Sequence, residues 1–440
     1  MTHATATLAP PPAAVRPPAV RRHRGVLGAL GLFLLARLAG AGVLAGVARA
    51  TGRRPLRLLG HSWDSRWYLG IAEHGYGRTL SFGPDVVHSD LAFFPLYPAL
   101  VRAVTAVTPL GGGSAGLLVS WTAAGTAACG IYAVTRHLRG HAVAAATVVL
   151  WGLLPHSVVL SMAYTEPVLT AFAAWALYAV LTGRWVWAGA LAAAAGLSRP
   201  NGFAVAAAVV VAGVCEAVRA RGWGGGKSYS SGMTRARVPA APTPLQRAGS
   251  DHTLLARGRE VRSPGTRPRA RVSHRLWTGI TLAPLGWIAY VLWVGVRKGD
   301  PLGGYFTVQR LWGSRFDFGA GSSRFARHLL LEGDRFVFAF ALVTVGAAAV
   351  LYALLLADRV PLPLLVYTGV LLLIALGGSG FFESKPRFLL PAFPLLLPLA
   401  AALARAARAR PWHAAVMVAA LAGLSFAYGA YLVVLADTPL

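Results

Sequence analysis

Acidic residues are scarce. The 440-residue chain holds 15 Asp+Glu against 42 Lys+Arg, and charged residues of both signs reach only 13%, about half the share of a soluble domain. With 56% of the residues hydrophobic, this composition suits neither a soluble enzyme nor a disordered chain. Cysteine is nearly absent: Cys129 and Cys215 both lie in apolar stretches, which excludes a disulfide scaffold and offers no metal spacing. No GxxxxGK[ST] loop, HExxH or CxxC occurs, so neither a P-loop nor a recognisable zinc site is expected. The intramembrane series of acids used by proton-coupled pumps is missing as well.

What is abundant is apolar sequence. Mean hydropathy is +0.56, and the apolar residues fall in blocks of about twenty, the length that spans a bilayer as a helix. The expected fold class is an all-α polytopic membrane protein. Spans are expected at 26–47, 115–135, 142–162, 165–182, 185–198, 202–218, 276–296, 336–357, 360–376, 388–404 and 414–435, eleven in all. Within them only Arg37 places a basic side chain at depth, free to snorkel or to pair with an acid of the first loop.

The net charge of +27 would suggest nucleic acid in a soluble protein. Here it is read as the basic bias of cytoplasmic loops, with no nucleic-acid partner. The Pro/Ala-rich N-terminus, 1–24, is expected to be disordered and cytoplasmic. Residues 25–218 form the first part of the bundle, with a long outer loop at 48–114. The stretch 219–275, with 13 Arg/Lys against Asp251 and Glu260, reads as a disordered cytoplasmic loop. Residues 276–440 form the second part, with an outer loop at 297–335. Segment 91–109 contains Pro95, Pro98 and Arg102 and is read as helix in the outer interface. On this reading the cytoplasmic segments hold 24 basic and 2 acidic residues, and the rest of the chain 18 and 13. Making 91–109 a span would invert everything after it and put the basic loop outside.

The outer side carries the chemistry. Asp64 stands among Trp63, Arg66, Trp67 and Tyr68 in the first loop. Aromatic rings beside a carboxylate suit a sugar, stacking on its apolar face while the acid bonds a hydroxyl. The plainer alternative is an interfacial aromatic belt with a solvated acid. Glu166, Arg199, Asn201, Lys385 and Arg387 fall at outer helix ends, where they suit a phosphate-bearing lipid. Lys385 and Arg387 precede a span whose N-terminal end adds partial positive charge; otherwise they anchor that helix to headgroups. Asp85 and Asp90 are the reserve acids of the first loop.

In order along the chain, WDSRWYLGIAEHGY, AFFPLYPALVR, AYTEP, SRPNG, GDPLGGYFTVQRLW and KPRFLLPAFPLL resemble the pattern of the PIG-V family. These are the second mannosyltransferases of glycosylphosphatidylinositol anchor synthesis, together with their actinobacterial relatives. The resemblance covers about 330 residues and skips the 219–275 loop. It implies a GT-C-type bundle at the plasma membrane, a polyprenyl-phosphate sugar donor, a lipid or glycan acceptor on the extracytoplasmic face, and no cofactor. It also implies an inverting mannosyl transfer with a catalytic aspartate in the first loop, which Asp64 matches. The substrate-binding set then extends to Gln309 in the second loop. Ser65 follows Asp64 where other branches of the class carry a second acid. An inverting displacement needs one base and a counter-charge for the departing phosphate, so one carboxylate suffices. A transporter or flippase of a lipid-linked sugar could use the same residues, but the halves show no clear repeat. A structural membrane partner of an envelope complex would have no use for Asp64.

Overall fold

Apolar runs placed in lipid can satisfy their backbone N–H and C=O groups only by closing into helices, and helix makes up nearly all the regular structure. The computed structural model describes residues 19–82, 86–221, 273–333 and 335–436. The expectations for Asp85, for the chain before Ala19 and for nearly all of the 219–275 loop lie outside the described residues.

The first long helix is α1 (Ala19–Ala50). The connection after it carries α2 (Pro55–Gly60), α3 (Asp64–His74), the hairpin of β1 (Thr79–Ser81) and β2 (Val87–Ser89), and α4 (Leu96–Val107). Next come α5 (Gly112–Arg139), α6 (His141–Gly152), α7 (Glu166–Leu181), α8 (Trp185–Gly196) and α9 (Phe203–Ala220). The second part contains α10 (His274–Leu282), α11 (Leu285–Arg297), α12 (Gly304–Leu311), β3 (Arg315–Phe316), α13 (Ala320–Glu332) and α14 (Phe336–Ala357). It ends with α15 (Leu362–Gly377), β4 (Gly378–Ser379), α16 (Lys385–Phe388), α17 (Leu397–Ala409) and α18 (Pro411–Ala430). β3 pairs antiparallel with β4, which ties the second long loop to the corner before α16.

Among the described residues, six helices are long and apolar enough to cross a membrane, or eight if each of two bent pairs is one crossing. The eleven expected spans exceed this count because α7, α8 and α15, at 16, 12 and 16 residues, fall short of the roughly 20 needed. The bends sit at prolines, whose rings clash with the preceding turn and remove a donor. α6 meets the 3-10 segment Pro155–Ser161 at 83°, and Phe382–Phe388 meets Phe393–Ala409 at 78°. The first break frees carbonyls inside the bundle. Ser157 Oγ donates to Gly152 O at 3.0 Å and Ser425 Oγ to Leu154 O at 2.9 Å. Arg37 donates to Ser157 O and is 3% exposed. It thus neither snorkels nor pairs with a first-loop acid; it caps a broken helix.

The largest core cluster draws on α1, α5 to α9, α15 and α17 and is rich in alanine. Small residues let the helices approach: a Cβ on Gly189 of α8 would sit 2.5 Å from Gly279 O of α10, closer than any side chain allows. A smaller cluster joins α3, α4 and α5 through Tyr68, Ile71, Phe93, Tyr97 and Val119. It fixes the first long connection against the bundle.

Candidate functional site

α3 begins at Asp64, so the acid lies in the first turn, where its charge complements the helix dipole. Trp63, just before it, has φ 45°, a conformation that costs a non-glycine residue about 1–3 kcal/mol and clusters at functional sites. Phe381, at the corner leading to α16, is also left-handed, with φ 43°. The folded bundle holds both ends of the site in unfavourable backbone.

The two corners meet. Arg387 Nη1 lies 2.8 Å from Asp64 Oδ2, and Arg387 Nε lies 3.3 Å from Glu166 Oε1. Arg199 Nη1 also pairs with Glu166 Oε1 and donates to Thr165 Oγ1 at 3.0 Å. The Tyr68 hydroxyl is 3.3 Å from the same Thr165 oxygen. Phe388 lies under both guanidiniums, 5.6 Å from that of Arg199 and 5.2 Å from that of Arg387. Tyr164 lies 5.2 Å from Arg387 and donates to Ser62 O at 3.4 Å. Two acids and two guanidiniums thus form a charge-balanced group, as a buried cluster must.

Exposure separates the acids. The Glu166 side chain is 0% exposed and that of Asp64 25%, so only Asp64 can meet an incoming hydroxyl. Burial pushes the Tyr68 phenol up to about 12. Burial, with the Asp64 charge adding to it, pushes Tyr164 well above its ordinary value. Both phenols therefore stay protonated, and that of Tyr164 donates to Ser62 O.

Of the residues expected at the site, Asp64, Tyr68, Glu166, Arg199 and Arg387 come together. Asn201 follows Arg199 in a 3-10 turn and is buried, and its Nδ2 has no hydrogen-bond partner among the described residues. Lys385 does not join them. It is 3% exposed and bonds Ser322 Oγ and, at 2.8 Å, Gly378 O, which fastens α13 to β4. Arg387 and Lys385 are both buried and face different partners, so the structure does not bring the two side chains together. The helix end expected to help them is also absent, since α16 has four residues and α17 starts only at Leu397.

Trp63 packs against the cluster of Tyr164, Val158 and Leu432. Arg66 is exposed and donates from Nε to His61 O at 3.0 Å. Gln309 Nε2 bonds Tyr305 Oη at 2.9 Å and Ala92 O at 3.3 Å, so it links α12 to the chain before α4. Trp67 stacks on Phe93 with centroids 5.7 Å apart and meets Trp312 edge-on at 5.2 Å. Sequence reasoning missed Tyr164, Thr165 and Phe388 as members of the site. The first two sit inside the AYTEP motif and Phe388 inside KPRFLLPAFPLL, which were usable signals.

Among the described residues, no group of three or more His, Cys, Asp or Glu is placed to hold a metal ion. The chain matches no family model, no curated protein and no solved structure.

Proposed function

We propose that this chain is a membrane glycosyltransferase of GT-C type, moving a mannosyl residue from a polyprenyl-phosphate donor to a lipid or glycan acceptor with inversion. The observation that carries this reading is the Asp64–Arg387 pair: a partly exposed carboxylate held beside a buried arginine. Asp64 takes the proton of the acceptor hydroxyl as that oxygen attacks the anomeric carbon. The bond from that carbon to the phosphate oxygen breaks, and the departing phosphate takes the negative charge. Arg387 meets that charge through its planar fork. Arg199 and Glu166 keep Arg387 oriented. The donor's phosphate competes with Asp64 for Arg387, so donor binding frees the base.

The reading includes eleven crossings, the short helices α7, α8 and α15 among them, with α4 in the interface, and therefore an extracytoplasmic position for this cluster at the plasma membrane. The ion pair of Arg139 with Asp358, 3.6 Å apart, supports placing the corners near 140 and 359 at the same end of the bundle, which the basic bias assigns to the cytoplasm. The test is incubation of membranes containing the protein with radiolabelled polyprenyl-phosphate mannose. A labelled glycolipid or glycan is expected, and it should disappear with Asp64→Asn.

The two broken crossings, bent by 83° and 78°, favour a second reading, since interrupted helices are a mark of transporters. A transporter of a lipid-linked sugar would move label across proteoliposomes without forming a new glycosidic product.

A further inference from the structure

The first turn of α3 belongs to the ion-pair cluster, but the same face of the helix continues away from it. Asp64, Trp67, Gly70, Ile71 and His74 recur at three- and four-residue intervals and therefore form one stripe. From Trp67 onward this stripe lines an open cleft of about 180 Å³. Tyr76, Arg78 and Asp90 line it too.

Asp90 is the telling residue. It is 2% exposed, and its Oδ2 accepts the backbone N–H groups of Gly77 and Arg78, each at 2.8 Å. Its Oδ1 is equally buried and has no partner among the described residues. A buried carboxylate oxygen without a donor carries a desolvation cost, which a ligand hydroxyl in the cleft would remove. Trp67 offers the complementary surface. Its ring is fixed by Phe93 and Trp312, and the exposed Arg78 guanidinium lies 5.3 Å from its centroid. An aromatic platform, a carboxylate oxygen that needs a donor, and an exposed guanidinium match the apolar face, the hydroxyls and the ring oxygens of a saccharide.

We propose that this cleft binds a sugar ring of the acceptor, stacked on Trp67 and donating a hydroxyl to Asp90 Oδ1. Its role as acceptor site rests on the transferase reading above, whereas saccharide binding does not. The geometry suits the role: Trp67 follows Asp64 by three residues on one helix face, a rise of about 4.5 Å, so the seated ring lies within one helical turn of Asp64.

The experiment uses the full chain in lipid nanodiscs and reads saturation-transfer NMR with methyl α-D-mannopyranoside as probe. Two variants separate the cleft from the fold. Asp90→Asn keeps an oxygen for the Gly77 and Arg78 amides but puts an amino group where the free oxygen was. Gly70→Leu fills the cleft at a half-buried position where a Cβ meets only Arg78, at 3.8 Å. The expected result is a signal in the wild type, reduced at least fivefold in Asp90→Asn and in Gly70→Leu. An equal signal in both cleft variants, or none in the wild type, overturns the proposal. Cleft-dependent binding in a preparation that transfers no mannose from labelled donor keeps the saccharide site and removes the transferase reading instead.

Discussion

Arg387 and Asp64 form an ion pair 2.8 Å long between a corner late in the chain and α3, the second helix of the first loop. The arginine is 5% exposed, while a quarter of the Asp64 side chain reaches solvent. On the proposed reading, the base and the cation that offsets the leaving group are thereby held together before any substrate arrives.

Asp64→Asn keeps the size of the side chain and removes the base. Transfer should fall by about 10²–10⁴-fold, measured with labelled donor, while the amount of inserted protein stays the same. The same variant frees Arg387 from a competing carboxylate, so it should bind polyprenyl phosphate more tightly, by several-fold in an equilibrium assay. Near-normal transfer would reject Asp64 as the base.

Arg387→Lys retains the charge but cannot reach Asp64 and Glu166 together, because lysine lacks the planar fork. The expected loss is at least tenfold in donor-dependent kcat/KM, about 1.4 kcal/mol of transition-state stabilisation. A wild-type rate would show that a point charge is enough and reject the bidentate contact.

Glu166→Ala leaves Arg199 and Arg387 buried with too little negative charge. Removing one partner from a buried pair costs about 3–5 kcal/mol, so the detergent-solubilised variant should unfold at clearly lower temperature. Glu166→Asp, one methylene shorter, should recover part of the loss. An unchanged unfolding temperature for Glu166→Ala would mean that water or lipid replaces the carboxylate.

The topology has its own check. A single cysteine at Ser81 should react with an impermeant thiol reagent in intact cells once any outer barrier is passed, and one at Ser230 only after the cells are opened. Labelling of Ser230→Cys in intact cells would place the Asp64 cluster on the cytoplasmic side.

Arg37→Met removes the donor that caps Ser157 O at the broken helix. An unsatisfied buried carbonyl costs about 1–3 kcal/mol, visible as a lowered unfolding temperature. If stability holds, the freed carbonyl has found another donor.

Composition and spacing were enough for the helical membrane class, for the positions of most apolar helices and for the prominence of Asp64, Glu166, Arg199 and Arg387. These follow from local quantities: apolar length, basic bias between apolar runs, and polar residues bunched at their ends. The breaks at Pro155 and in the Phe382–Ala409 pair were not legible, because a proline in an apolar run can kink a helix or end it, and only the packing around it decides. Nor could spacing tell Lys385 from Arg387, two positions apart. In a folded corner that offset turns one side chain toward Ser322 and Gly378 and the other toward Asp64 and Glu166. The pairing of acids with arginines depends on which distant segments share the bundle end, and tertiary packing alone settles that, since an ion pair buried away from water must find its counter-charge within a few ångströms.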